Sequence, residues 1–310
     1  MIWLLLLAAV LLIAAAPFLR EHLRKPMDAQ ARQTAPGALA QLPSGCTHYR
    51  WTGPHRGPVA VCVHGLTTPS FVWNGIAKGL GAMGYRVLTY DLYGRGYSDR
   101  PAGPQDRAFF LTQLEELLED QQVGGDFTLI GYSMGGAIAT AFAAAHPDRL
   151  RELILLAPAG FGRSAGRLTQ IIRQVPGFGD WLMHALYPAL HIRSTRAERS
   201  LPSSVPGIVK LQQQELGYRG FIPAVLASLR GILNEDFTEE LRGLHQKGVP
   251  ALAIWGQEDA VIPPTSAGRL AERARSVRQE EVAGAGHGLP YTHTEEVLEI
   301  IALQHRRGLI

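Results

Sequence analysis

Five residues, Gly131-Tyr132-Ser133-Met134-Gly135, restrict this chain more than any others. They stand between the apolar run Asp126 to Ile130, which reads as a buried strand, and the alanine-rich run Ser133 to His146, which reads as a helix. A strand passing straight into a helix makes a sharp turn, and the side chain at its centre is pushed out at the sheet edge. Gly131 and Gly135 suit that turn, because a Cβ at either position would clash. The first N–H groups of the helix point at the same spot and favour negative charge there. With 34 glycines in 310 residues such a spacing arises easily by chance, so its meaning comes from the strand before it and the helix after it.

The rest of the chain repeats that rhythm. Val59–Val63, Tyr85–Tyr90, Leu150–Ala157, Val249–Trp255 and Val277–Val282 read as further short apolar strands. Val72–Met83, Ala108–Gln122, a segment near Ser266–Ala274, and Pro290 to about His305 read as helices between or after them. Alternation of this kind implies a parallel sheet covered by helices on both faces. Between Pro158 and Val249 the rhythm breaks, with no convincing strand and a helical pattern punctuated by proline and glycine. That span is too long for a loop and reads as an inserted helical subdomain, residues 161–245. The sheet-bearing core is then 44–160 with 246–310, and residues 20–43 read as a linker rich in Pro, Ala, Gln and Arg.

A serine hydroxyl attacks well only when a base takes its proton. His287, in Gly284-Ala285-Gly286-His287-Gly288, falls just after the final strand, on the sheet edge that carries Ser133. His293 is the nearest rival but falls inside the last helical pattern. The base needs an acid to orient it and to stabilise its charged form. Asp259, shortly after Trp255, completes the chain order Ser133, Asp259, His287, with Glu258 as the rival carboxylate. The oxyanion of an acyl-transfer transition state needs preorganised donors. His64-Gly65-Leu66 ends the strand beside the nucleophile strand, and Gly65 lets the backbone turn so that the Leu66 N–H faces the site. The Met134 N–H is the second donor, and His64 reads as a residue that bonds the turn.

Together with Asp91-Leu92-Tyr93-Gly94-Arg95-Gly96-Tyr97-Ser98-Asp99, these motifs resemble the α/β-hydrolase superfamily, in its serine hydrolase branch with a helical cap. The similarity runs from about Tyr49 to Arg306 apart from the insertion. It implies about eight strands, a mostly parallel sheet and a cap inserted after the sixth strand. The Asp91–Asp99 turn is mostly architectural in that family. The resemblance implies a serine hydrolase of the carboxylesterase or lipase kind, acting on a lipid-like ester, monoacylglycerol or lactone through an acyl-enzyme, with no metal and no organic cofactor. Ser133 separates the chain from dehalogenases and epoxide hydrolases on the same scaffold, which use aspartate. Carbon–carbon hydrolases of the meta-cleavage-product type usually carry a Trp soon after the catalytic His, where this chain has Gly288-Leu289-Pro290. An acyltransferase on the same triad, or a ligand-binding pseudoenzyme, are the other readings of the fold.

Composition excludes several classes. A net charge of +3 without a basic stripe interleaved with aromatics argues against a nucleic-acid partner. Cys46 and Cys62 form neither a disulfide framework nor a zinc spacing. Residues 1–19 carry no side-chain charge, and at about 1.5 Å per residue they reach roughly 28 Å, near the thickness of a bilayer core. Arg20, Arg24 and Lys25 follow, which by the positive-inside rule keeps the domain cytoplasmic. The expectation is an uncleaved single-pass anchor; cleavage near Ala16 would instead make it a signal peptide and the domain secreted or periplasmic. Phe161–Asp236 holds nine Arg/Lys against five Asp/Glu, which suits a surface near anionic lipid.

Overall fold

The computed structural model describes residues 1–161, 166–263 and 265–307. A long helix, α1 (Ile2–His22), precedes a hairpin of β1 (Ala38–Leu42) and β2 (Gly45–Thr52). Strands and helices then alternate through β3 (Val59–Val63), α2 (Asn74–Ala82), β4 (Arg86–Tyr90), α3 (Arg107–Asp120), β5 (Phe127–Tyr132), α4 (Met134–Ala145) and β6 (Leu150–Leu156). Helices α5 (Arg167–Gln174), α6 (Phe178–Ala197), α7 (Ile208–Gln214), α8 (Phe221–Arg230) and α9 (Thr238–Gln246) follow. The remainder is β7 (Ala251–Gly256), α10 (Thr265–Arg273), β8 (Arg278–Val282), α11 (Leu289–Thr292) and α12 (Thr294–Arg307).

The eight strands form one sheet in the order β1-β2-β4-β3-β5-β6-β7-β8. Neighbours from β4 to β8 are parallel, and β2 runs antiparallel to both β1 and β4. Each central strand is apolar on both sides because each side meets a separate core. Val61, Val63, Leu129, Leu153, Leu155 and Ala253 pack into one cluster, and Ala60, Cys62, Ile130, Ile154, Leu156 and Leu252 into the other. This two-faced burial explains why these strands read as unbroken apolar runs. The direction of winding reverses at β3, which pairs with β4 on one side and β5 on the other. A crevice opens beyond the carboxyl ends of strands at such a reversal.

The structure departs from the sequence expectations at several element boundaries. The expected linker 20–43 contains β1, and α1 continues past its expected end at residue 19 to His22. The segment is also held: Arg32 Nε donates to the Tyr97 carbonyl (2.8 Å) and its guanidinium pairs with Asp99. The strand β2 escaped the apolar pattern because its buried Thr47 and His48 are polar; each is compensated, by Gln113 and Asp91. The helices of the expected insertion, residues 161–245, pack in more than one place. Phe237, Leu241 and Leu244 at α9 join the core cluster that holds Phe142 and Trp255, whereas Ile172, Met183, Leu216, Phe221, Val225 and Leu226 form a cluster of their own. The expected last helix is broken into α11 and α12 at His293.

The turn after β4 depends on a buried charge pair. The Asp91 carboxylate accepts from Ser70 N–H (2.8 Å), Tyr97 N–H (2.9 Å) and His48 Nδ1–H (2.7 Å). His48 Nε2 faces the Pro36 carbonyl, so both ring nitrogens have acceptors. Burial opposes the His48 charge, but Asp91 and the Pro36 carbonyl outweigh it and push the imidazole up. Burial likewise opposes the Asp91 charge, and the His48 proton outweighs it, holding the carboxyl well below the usual range. Gly96, at φ +53°, is required because a Cβ there would lie 2.1 Å from Asp91 Oδ2.

Removing one partner of such a pair leaves a buried charge alone, so Asp91→Asn should lower the unfolding free energy by about 3–5 kcal/mol, measured by urea titration. The sign of the pH dependence follows from the raised His48. Its contribution is complete below the unfolded histidine value of about 6.5 and is lost as pH climbs through the raised folded value. Wild-type stability should therefore decline as pH rises from about 6.5 upward, and Asp91→Asn should lack that component.

Candidate active site

Ser133 directly follows β5 with φ 53° and ψ −118°, a region that costs a residue bearing a side chain about 1–3 kcal/mol. Its surroundings hold it there. The Ser133 N–H donates to the Leu156 carbonyl (3.0 Å), and its own carbonyl accepts from Gly136 and Ala159 (each 2.9 Å). A Cβ at Gly131 would lie 2.4 Å from the Gly135 carbonyl oxygen, and one at Gly135 would lie 2.0 Å from that of Val63. The two glycines let α4 start against β3 and β5 with no side chain between.

His287 lies on the loop between β8 and α11, and Asp259 on the loop after β7. His287 Nδ1–H donates to Asp259 Oδ2 at 2.8 Å, which leaves Nε2 as an acceptor 3.0 Å from Ser133 Oγ. Asp259 Oδ1 accepts from the Val261 and Ile262 N–H groups, each at 2.7 Å. With three donors and 3% exposure this carboxylate is fixed and shielded. Glu258 is exposed instead, and His293 bonds Thr292 Oγ1 (3.0 Å) at the break between α11 and α12. The three residues singled out in sequence thus meet, and the two rivals do not join them.

Gly65 abuts the serine: a Cβ there would lie 3.1 Å from Ser133 Cβ. Among the described residues, neither the Leu66 N–H nor the Met134 N–H is paired with an acceptor. His64 is fully buried, accepts the Leu92 N–H at Nε2 (2.9 Å) and donates from Nδ1 to the Gly65 carbonyl (2.7 Å). Burial lowers its imidazole to about 4, so it stays neutral and keeps this tautomer. Its place is in the turn, as its position in sequence suggests.

Two supporting residues carried no sequence signal of their own. Tyr132, inside the glycine-serine turn, donates from its hydroxyl to the His287 carbonyl (3.0 Å), fixing the loop that carries His287. Arg95, in the turn after β4, is completely buried. Its Nε donates to the Leu66 carbonyl (3.1 Å) and its Nη2 to Ala224 (3.1 Å) and Ser228 (2.7 Å) of α8. A buried arginine is unexpected on residue type alone, and only the fold reveals its acceptors. Cavities of about 670 Å³ and about 630 Å³ open elsewhere on the molecule, and no residue of the Ser133–His287–Asp259 array lines either. Hydrogen-bond geometry, not cavity size, therefore marks this site. Among the described residues no group of His, Cys, Asp and Glu is arranged to hold a metal ion.

Residues 58–294 match the family model described as the alpha/beta hydrolase fold. The chain is 28% identical over 268 residues to the pimeloyl-(acyl-carrier protein) methyl ester esterase of Aeromonas hydrophila, covering 79% of this chain and 94% of that protein. It is 27% identical over 257 residues to the 2-hydroxy-6-oxononadienedioate/2-hydroxy-6-oxononatrienedioate hydrolase of Burkholderia vietnamiensis, covering 80% and 86%. Among solved structures, a thermophilic esterase from Thermogutta terrifontis superposes with a TM-score of 0.67 at 25% identity, covering 88% of this chain and 99% of that one.

The strain at residue 133 predicts a stability difference between two variants that both lack the hydroxyl. Glycine relieves the unfavourable backbone region and alanine does not. Ser133→Gly should therefore be more stable than Ser133→Ala by about 1 kcal/mol or more, read from paired thermal or urea unfolding curves.

Proposed function

The chain belongs to the α/β-hydrolase fold family, and from that premise we propose that it is a serine hydrolase that cleaves carboxylic esters through an acyl-enzyme. The observation that carries this reading is the His287 imidazole between Ser133 Oγ and Asp259 Oδ2, at 3.0 and 2.8 Å. Ser133 Oγ attacks the ester carbonyl carbon as its proton passes to His287 Nε2. Asp259 holds the Nδ1–H and stabilises the imidazolium without taking the proton. Charge gathers on the carbonyl oxygen, where the unpaired N–H groups of Leu66 and Met134 are free to receive it. Collapse expels the alcohol, which takes the proton from His287. A water, deprotonated by the same nitrogen, then releases the acid and restores Ser133.

The substrate we propose is a lipid-like ester, a monoacylglycerol or a lactone. Support comes from α1, which is long and apolar enough to cross a bilayer and is almost wholly exposed. We read α1 as an uncleaved anchor with the domain on the cytoplasmic side, on the strength of the uncharged run to Leu19 and the basic Arg20, Arg24 and Lys25 after it. Helices α5 to α8 are the cap over the site in this reading. Carbon–carbon cleavage is disfavoured by Gly288-Leu289-Pro290 after His287.

A fluorophosphonate probe should label wild type and spare Ser133→Ala, and that variant should lose several orders of magnitude in ester turnover while staying folded. Asp259→Asn should cost roughly four orders of magnitude in kcat, whereas Glu258→Gln should leave it near wild type; the opposite pattern would reassign the acid. For the anchor, carbonate washing should leave the full chain with membranes. Release into the wash, or N-terminal sequencing that finds cleavage near Ala16, would reject it.

A further inference from the structure

The second half of α1 is not free; it is seated on the segment between β6 and β7. Pro17 lies within the helix and is buried. A proline has no N–H, so it leaves the carbonyl four residues earlier, that of Ile13, without its helical donor. Trp181 of α6 supplies one: its Nε1–H donates to the Ile13 carbonyl at 3.3 Å. One turn further on, the Phe18 ring meets His184 edge-on, with centroids 5.1 Å apart. The end of the helix is then locked. Glu21 Oε1 accepts the Gly220 N–H (2.6 Å), Lys25 N–H donates to the Gly217 carbonyl (3.1 Å), and Arg219 N–H donates to the Lys25 carbonyl (2.8 Å).

This docking fixes a depth. Ile13 is seven residues before Arg20, about 10 Å along the helix. If α1 lies in lipid up to the first charge at Arg20, then the part of α6 that touches Ile13 is carried about 10 Å to the lipid side of that boundary. The exposed surface there suits such a place. On α5 and the turn after it, Leu168, Ile171 and Val175 are 40–43% exposed. On α6, Phe178, Leu186 and Leu190 are 57%, 39% and 48% exposed. The one acidic side chain on α6, Asp180, is neutralised by Arg230 through two hydrogen bonds (3.0 and 2.8 Å). Toward its far end α6 presents exposed Arg193 and Arg196, which suits anionic headgroups at the rim of the apolar patch.

We propose that the α5–α6 face is a bilayer-docking surface, submerged beside α1, that holds the helical insertion against the membrane. This rests on the reading that α1 lies in the bilayer. The occupant is lipid rather than a protein partner, because the patch continues from a helix whose own exposed side chains, Leu11, Leu12, Phe18 and Leu19 among them, are apolar at the same level. An interfacial helix face of this kind sinks roughly 5–10 Å into the headgroup and acyl boundary, in keeping with the depth set by Ile13.

The test uses the full chain reconstituted in vesicles of phosphatidylcholine and phosphatidylglycerol. Both native cysteines are buried, so a thiol-reactive, environment-sensitive dye can be placed at Ile171→Cys, Leu190→Cys or, as a control, Met83→Cys after α2. The bilayer should shift the dye emission to the blue at positions 171 and 190, lipids carrying a doxyl quencher in the acyl chain should quench it there, and both should leave it unchanged at 83. Vesicle flotation of the labelled chains monitors α1 separately. Chains that float with dyes at 171 and 190 unquenched would overturn this inference and leave the anchor standing; chains that do not float would overturn both. Protection of the 171 and 190 dyes that depends on protein concentration and not on the quencher would replace lipid with a second copy of the chain, and would also overturn it.

Discussion

The backbone at Ser133 is the constraint on which the site depends. A residue with φ 53° between a strand and a helix is unfavourable in isolation. It persists because the parallel pairing of β3 with β5 fixes both strand ends, and because the Ser133 peptide is bonded on both sides, to Leu156 and to Gly136 and Ala159. The same pairing brings Gly65 against the serine Cβ. One register thus sets the positions of the hydroxyl, the turn that bears the Leu66 N–H, and the first N–H of α4. Glycine is needed at 131 and 135 for a reason separate from dihedral freedom: carbonyl oxygens occupy the space that a Cβ would need.

Most of this was legible in the chain, and the reason is the sheet. Strands with a core on each face are mostly apolar, so β3, β4, β5, β6 and β7 announce themselves, and residues following their carboxyl ends can be placed on one edge. Ser133, Asp259 and His287 were found in that way, and the structure brings them into one hydrogen-bonded array. What stayed hidden was held by polar contacts between distant segments. The strand β2 buries Thr47 and His48, which no hydropathy pattern reads as core, because Gln113 and Asp91 arrive from elsewhere to satisfy them. The number eight for the strands came through resemblance, since the residues themselves announced six. The packing of α9 was not legible because it is helical like its predecessors, and only its contact with the sheet core distinguishes it.

The polar residues around the site share a pattern: each ties a loop of the site to something else. His64 binds the turn after β3 to the turn after β4 through the Leu92 N–H. Tyr132 binds the serine turn to the loop of His287. Asp91 gathers Ser70, Tyr97 and His48 around one carboxylate. Apolar burial supplies most of the stabilisation of such a domain, but it is non-directional and cannot choose among loop conformations of similar packing. These buried hydrogen bonds can, because each misplaced donor or acceptor would stand unsatisfied.

Arg95 extends this logic from the sheet to the helices above it. Its guanidinium is completely buried, and its direct hydrogen bonds go to neutral acceptors: Leu66 below, Tyr93 and Gln105 beside it, and Ala224 and Ser228 of α8 above. A buried cation held by carbonyl and hydroxyl dipoles needs all of them, so a shift of α8 is felt by the Leu66 peptide through one rigid, planar group. Between α6 and α7, Glu198 accepts from the Tyr291 hydroxyl (2.7 Å) and the Ser204 N–H donates to the Tyr291 carbonyl (2.8 Å), close in sequence to His287. The insertion is therefore tied to the Leu66 turn through Arg95 and to α11, which follows the His287 loop, while α1 is tied to the insertion at Trp181, His184 and Gly220. Force applied to α1 is therefore passed to the helices of the insertion, and the bonds of Arg95 and Tyr291 are one route by which it is carried on toward the serine.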